Sequence, residues 1–161
     1  MGPFPVVKNK RFIVTFQDAF SGFNIMVASP DHTTNTVVQL LVERVVTYYR
    51  TPVHVFGDRG REFVGHIWDQ LETILGCTMV RTSPYHPQGN GQVECSHRTI
   101  NNAIRAEIAQ KGTNRWPEHL PAIQRSMNAA PREDCQLSPH QIIMDTVPHL
   151  PADLHLPCKR L

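Results

Sequence analysis

Two carboxylates in this 161-residue chain occupy positions that suit them for metal chemistry. Asp58 follows the β-prone run Val53-His54-Val55-Phe56-Gly57, and Glu94 opens an amphipathic run 36 positions further on. A side chain at the exit of a buried strand, or in the first turn of a helix, is aimed by regular backbone while its tip faces outward, as a metal ligand requires. Carboxylate oxygens are the hard ligands that Mg²⁺ and Mn²⁺ prefer, and such ions complete their coordination with water and substrate phosphate. A pair of ions about 3.5 to 4 Å apart activates a nucleophilic water or hydroxyl and neutralises the leaving oxygen in phosphodiester cleavage or transfer. Local preference accounts for the same two positions, because Asp suits turns and Glu suits the positive end of a helix dipole. Spacing alone leaves both readings open.

The neighbours of Glu94 extend the metal reading. Ser83-Pro84-Tyr85-His86-Pro87-Gln88-Gly89-Asn90-Gly91 is a loop by composition, with Tyr85, His86 and Gln88 able to stack on bases or hydrogen-bond to phosphate. Arg98, Asn101 and Arg105 follow Glu94 along one helical face, where a nucleic-acid backbone lying on the metals would next pass. A solvated polar face would show the same residue types. Other chemistries lack their motifs: there is no Gly-x-Ser-x-Gly elbow, no phosphate-binding loop ending in Lys-Ser or Lys-Thr, and no His-Glu-x-x-His helix. The four cysteines, at 77, 95, 135 and 158, form no Cys-x-x-Cys pair and read as reduced thiols. None of the nine histidines has the paired spacing with cysteine of a closed zinc site.

Positioning these groups calls for alternating strands and helices. Arg11 to Phe16 and Phe23 to Ala28 are rich in β-branched and aromatic residues around the turn-like Asp18-Ala19-Phe20-Ser21-Gly22, which predicts an antiparallel hairpin. Val37, Val38, Leu41, Val45 and Tyr48 predict a helix over 33–49, with Thr33 or Thr34 as N-cap. A strand at 53–57, a helix carrying Phe63, Ile67, Leu71 and Leu75, and a strand at 77–81 come next. Val93, Ile100, Ile104 and Ile108 make the apolar stripe of the Glu94 helix, and a further helix runs from Trp116 to Met127 with Pro117 in its first turn. Met1-Gly2-Pro3-Phe4-Pro5 reads as a connector because two prolines remove ladder donors. The order predicts a mixed α/β sheet flanked by helices.

Composition sets the outer bounds. Forty per cent apolar and 19% charged residues suit one globular domain, and no apolar run approaches the roughly 20 residues of a membrane helix. A net charge of +2 makes no general argument for nucleic acid, so any basic footprint must be local. We expect a core domain over 1–146 and a Pro-punctuated tail over 147–161.

At Phe56-Gly57-Asp58-Arg59-Gly60-Arg61-Glu62-Phe63 and at Pro84-Tyr85-His86-Pro87-Gln88-Gly89-Asn90-Gly91-Gln92-Val93-Glu94 the chain resembles the catalytic core of retroviral and long-terminal-repeat retrotransposon integrases. The likeness continues through Trp116 and Leu120 to Leu137-Ser138-Pro139 and Pro148, and its details are more like retrotransposon members. It implies a ribonuclease H-like fold and an Asp, Asp, Glu triad with 35 residues between the last two, the interval of Asp58 and Glu94. It further implies Mg²⁺ or Mn²⁺ as cofactor, DNA as partner, an intracellular, nuclear setting and a homodimer.

The resemblance makes Asp18 a structural, non-triad position. It places the first triad Asp two residues before Met1, in a central strand of which only Met1 to Pro5 is present. Cys95 stands where relatives often have Arg, and His97 where Asn is common. Two classes of function stay open: an integrase enzyme working through Asp58, Glu94 and a third acid, and a nonenzymatic nucleic-acid-binding or interaction module. A ribonuclease H-type nuclease would share the metal chemistry without the loop and tail motifs.

Overall fold

The computed structural model describes residues 1–57, 66–81, 97–106, 109 and 115–148. Strands β1 (Phe12–Gln17) and β2 (Asn24–Ser29) pair antiparallel in the register Phe12↔Ser29 to Gln17↔Asn24. Both faces of this hairpin are covered. Ile13 and Met26 point to one side, against Ile100 and Ile104 of helix α3 (97–106) and Trp116 and Leu120 of α4 (Trp116–Ala129). Val14 points to the other, against Val37 and Leu41 of α1 (Thr34–Leu41). A strand's period of two makes this possible, since successive side chains alternate between faces.

Strands β3 (His54–Gly57) and β4 (Thr78–Arg81) pair in parallel through helix α2 (His66–Leu75), the crossover that parallel strands require. Val55 of β3 and Leu75 of α2 join the apolar cluster under α1. Among the described residues the two strand pairs form separate ladders, with no backbone bonds from one to the other. Among the described residues, apolar side chains under α1 connect them. Layers of helix, sheet and helix make this the mixed α/β architecture that the order of elements predicts, as the ribonuclease H-like resemblance also implies.

Two departures from the sequence reading have physical causes. The predicted helix over 33–49 is α-helical only to Leu41 and continues as a π turn over Val42–Val46. There the Thr47 N–H and hydroxyl both donate to the Val42 carbonyl, at 3.1 and 2.8 Å, beside the crowded β-branched pair Val45 and Val46. Met1 to Pro5 is more than a connector. Met1 exchanges backbone bonds with Ile13 at 2.8 and 2.9 Å, and the Phe4 N–H donates to the Arg11 carbonyl at 2.7 Å, so the segment lines the edge of β1 that faces away from β2. The prolines lie between the donors that are used.

The opposite edge, along β2, is closed by side chains. Asn128 Oδ1 accepts the Asn24 N–H and its Nδ2 donates to the Asn24 carbonyl, both at 2.8 Å, while Gln124 Oε1 accepts the Met26 N–H at 2.7 Å. Residues four apart on α4 therefore match residues two apart on the strand. Helix α5 (Pro139–Met144) follows, started by a capping box between Ser138 and Gln141.

Candidate metal and nucleic-acid site

Chain adjacency brings the described elements up to the candidate acids. β3 ends at the buried Gly57, and Asp58 is the next residue; the described part of α3 starts at 97, three residues after Glu94. Asp58, Glu94, Tyr85, His86 and Gln88 themselves lie outside the described residues.

The α3 face can be read directly. Ile100 and Ile104 are buried, whereas Arg98 and Arg105 are exposed and Asn101 is half-buried. Three polar side chains at steps of three and four thus share the outer stripe of a helix whose inner stripe is locked into the core. Guanidinium groups on such a stripe meet phosphate oxygens with planar, permanently charged donors.

Asp18 is occupied structurally. Its Oδ2 accepts the Ser21 N–H at 2.8 Å and the Ser21 hydroxyl at 2.7 Å, and its carbonyl accepts the Gly22 N–H at 2.9 Å. Gly22, at φ +75°, supplies the left-handed conformation that this turn needs. The carboxylate therefore shapes the β1–β2 turn. Among the described residues no group of three or more His, Cys, Asp or Glu side chains converges on one point.

A charged cluster that motif reading passed over lies where the N-terminal hairpin meets α4. Val7 and Lys10 form an isolated antiparallel bridge across Lys8 and Asn9, both at positive φ, the conformation of a two-residue primed turn. Lys8 Nζ reaches Glu118 Oε1 at 2.8 Å, and Arg115 Nε donates to Glu118 Oε2 at 2.6 Å. The hydrogen bond from Lys8, followed by that from Arg115, holds the Glu118 carboxyl below the usual carboxylate range. One signal was readable beforehand: the first seventeen residues carry Lys8, Lys10 and Arg11 and no acid. Beneath the cluster, Trp116 Nε1 donates to the Pro5 carbonyl at 2.8 Å and its ring lies 5.2 Å from that of Phe4.

No family model matches the chain. It is 27% identical over 150 residues to the Transposon Tf2-3 and Tf2-4 polyproteins of Schizosaccharomyces pombe, a match covering 92% of this chain and 11% of each polyprotein. The chain thus spans about a tenth of the length of these relatives. Among solved structures it is similar to the catalytic core domain of BIV integrase, with a TM-score of 0.67 and 26% identity over 83% of this chain and 85% of that one. It is similar in fold to a chain of a simian T-cell lymphotropic virus intasome in complex with PP2A regulatory subunit B56 gamma, with a TM-score of 0.69 and 18% identity over 87% of this chain and 54% of that one. The HTLV-2 integrase catalytic core domain in complex with magnesium shares the fold at a TM-score of 0.65 and 13% identity, over 82% and 92% of the two chains. A helix-covered β hairpin, a parallel β-α-β unit and both kinds of relative agree: the chain is similar in sequence to a segment of the Tf2 transposon polyproteins and, in sequence and fold, to the integrase catalytic core domain of BIV.

Proposed function

We propose that this integrase core inherits metal-dependent 3′ processing and strand transfer of DNA as its ancestral chemistry, and that Asp58 and Glu94 are two of its three metal-holding acids. The donor pair is oxygen-only, which suits Mg²⁺ or Mn²⁺. Bound there, the ion would supply charge neutralisation at the reacting phosphate. Tyr85, His86 and Gln88 would orient the DNA end, and Arg98, Asn101 and Arg105 would hold the backbone that follows. A homodimer, a nuclear setting and a core ending at 146 complete the reading, with retroelement ends and target DNA as partners.

The observations that carry this proposal are the similarity to the BIV integrase catalytic core domain over 83% of this chain and the end of β3 at the buried Gly57, directly before Asp58. The resemblance puts a central strand, with the first acid on it, between β1 and β3. Asp18 is committed to its turn and does not supply that acid.

Titration of the 161-residue chain with Mn²⁺, followed by the electron paramagnetic resonance of the free ion, tests the ligands. Weak binding that Asp58→Asn and Glu94→Gln each abolish is expected, and binding indifferent to both substitutions would overturn the assignment. In a strand-transfer assay with Mn²⁺, silence with Asp58 and Glu94 intact would reject an active enzyme for this chain, and activity would show that it supplies a third acid itself. The nonenzymatic module predicts that Asp58→Asn leaves DNA binding unchanged, and loss of a DNA-dependent activity in that variant would reject it.

A further inference from the structure

We propose that Lys8, Lys10, Arg11 and Arg115 form a second DNA-contacting surface, separate from the polar stripe of α3, which grips the sugar-phosphate backbone of a duplex. This rests on the reading that the chain binds DNA and adds a surface to it. The residues come from two elements far apart in sequence, and Glu118 ties them together, since its two oxygens are held by Lys8 and Arg115. The two cationic heads therefore flank one carboxylate while their side chains stay 75% and 65% exposed. Lys10 and Arg11 extend the charge along the hairpin, and the Arg11 guanidinium lies 5.3 Å from the centre of the Phe12 ring.

Two acids need to be weighed against these four cations. Glu118 neutralises part of the charge, being shared by two of them. Asp31, near the His32 ring that stacks 4.5 Å from Phe12, is taken up by the Thr33 N–H and hydroxyl at 3.0 and 2.9 Å. A positive excess remains on a rigid support. The hairpin is fixed by the Met1–Ile13 and Phe4–Arg11 backbone bonds and by the Trp116–Pro5 bond, and Phe4 and Val7 pack on the cluster that contains Ile100 and Ile104 of α3. Both basic surfaces are thereby anchored to one core. A duplex longer than a single α3 contact has a second, pre-positioned set of donors, and fixed donors lose little entropy on binding. The contact assigned to these four cations is to phosphate, which carries no sequence information.

The test measures binding of the full chain to a mixed-sequence 30-base-pair duplex by fluorescence anisotropy across a salt series. Lys8→Gln combined with Arg115→Gln should weaken binding roughly tenfold near 0.1 M salt and reduce the slope of log affinity against log salt by about 2, since each phosphate contact contributes about 0.9. Glu118→Gln should act in the opposite direction and tighten binding about threefold, because it frees both cations. A purely structural role for the cluster would give weaker or unchanged binding in Glu118→Gln. If the wild-type chain binds DNA and neither variant moves affinity or slope, this surface is disproved and the α3 reading stands; no binding by the wild-type chain would overturn both. Equally tight capture of polyglutamate through the same residues would reassign the patch to an acidic protein and reject the DNA assignment.

Discussion

The side-chain amide of Asn128 completes a two-bond ring with the backbone of Asn24, presenting to the strand the same donor and acceptor that another strand would offer. Both residues are buried, so neither bond has water as a ready substitute. With Gln124 on the next rung, α4 closes an edge that would otherwise be open to pairing with another chain.

Asn128→Leu should therefore leave the Asn24 N–H and carbonyl buried without partners and destabilise the fold by about 2 to 4 kcal/mol. Chemical denaturation measures this. Gln124→Leu, which orphans one donor on a less enclosed rung, should cost about half as much, and equal losses would contradict the pairing described.

Trp116 is 1% exposed and combines packing with one hydrogen bond, and the two contributions can be separated. Trp116→Phe keeps a ring against Phe4 but loses the donor to Pro5, a loss of about 1 to 2 kcal/mol. Trp116→Ala also removes the ring from the cluster of Ile13, Ile100 and Ile104 and should cost about 3 to 5 kcal/mol. Thermal melts of the two variants beside the wild type decide the matter.

Asp18→Ala should destabilise by about 1 to 3 kcal/mol, because the fully buried Ser21 loses the acceptor for both its N–H and its hydroxyl. Mn²⁺ affinity should not change. A loss of metal binding in a variant that still melts cooperatively would restore Asp18 as a candidate ligand.

Acid sensitivity near α1 follows from Asp31. Hydrogen bonds from the Thr36 side chain, then from Thr33, hold its carboxyl below the usual carboxylate range. A folded-state pKa lower than the unfolded one contributes stability that is fully present above the unfolded value and lost as pH falls through the folded value. The stability curve should therefore bend downward below about pH 4. Asp31→Asn should flatten that limb and leave stability at pH 7 slightly reduced; an unchanged acid limb would exclude Asp31 as a contributor.

Periodicity made most elements legible. Alternation at Ile13 and Val14, the Val37 and Leu41 spacing, and the stripe of Ile100 and Ile104 depend on which side of a strand or helix is apolar, and the structure buries all six. The outward stripe of Arg98, Asn101 and Arg105 was readable for the same reason. What could not be read depends on distance along the chain: Lys8 and Glu118 are 110 residues apart, and Asn24 and Asn128 are 104 apart. Local pattern holds no information about such partners. The π turn after Leu41 also escaped, because a β-branched run and a Thr hydroxyl shift the hydrogen-bond step without disturbing the hydrophobic spacing.

The meeting of the two ladders under α1 bears on how the protein comes apart. Greasy contacts among Val14, Val37, Leu41 and Val55 resist separation but set no register, so sliding costs less there than within either ladder. The four-residue pair β3 and β4 should open as its own unit ahead of the longer, helix-bolted hairpin, and amide hydrogen exchange should find Val55 and Phe56 labelled while Val14 and Val27 remain protonated. Asp58 is the residue that follows β3, so this candidate acid is tethered to the pair expected to open first.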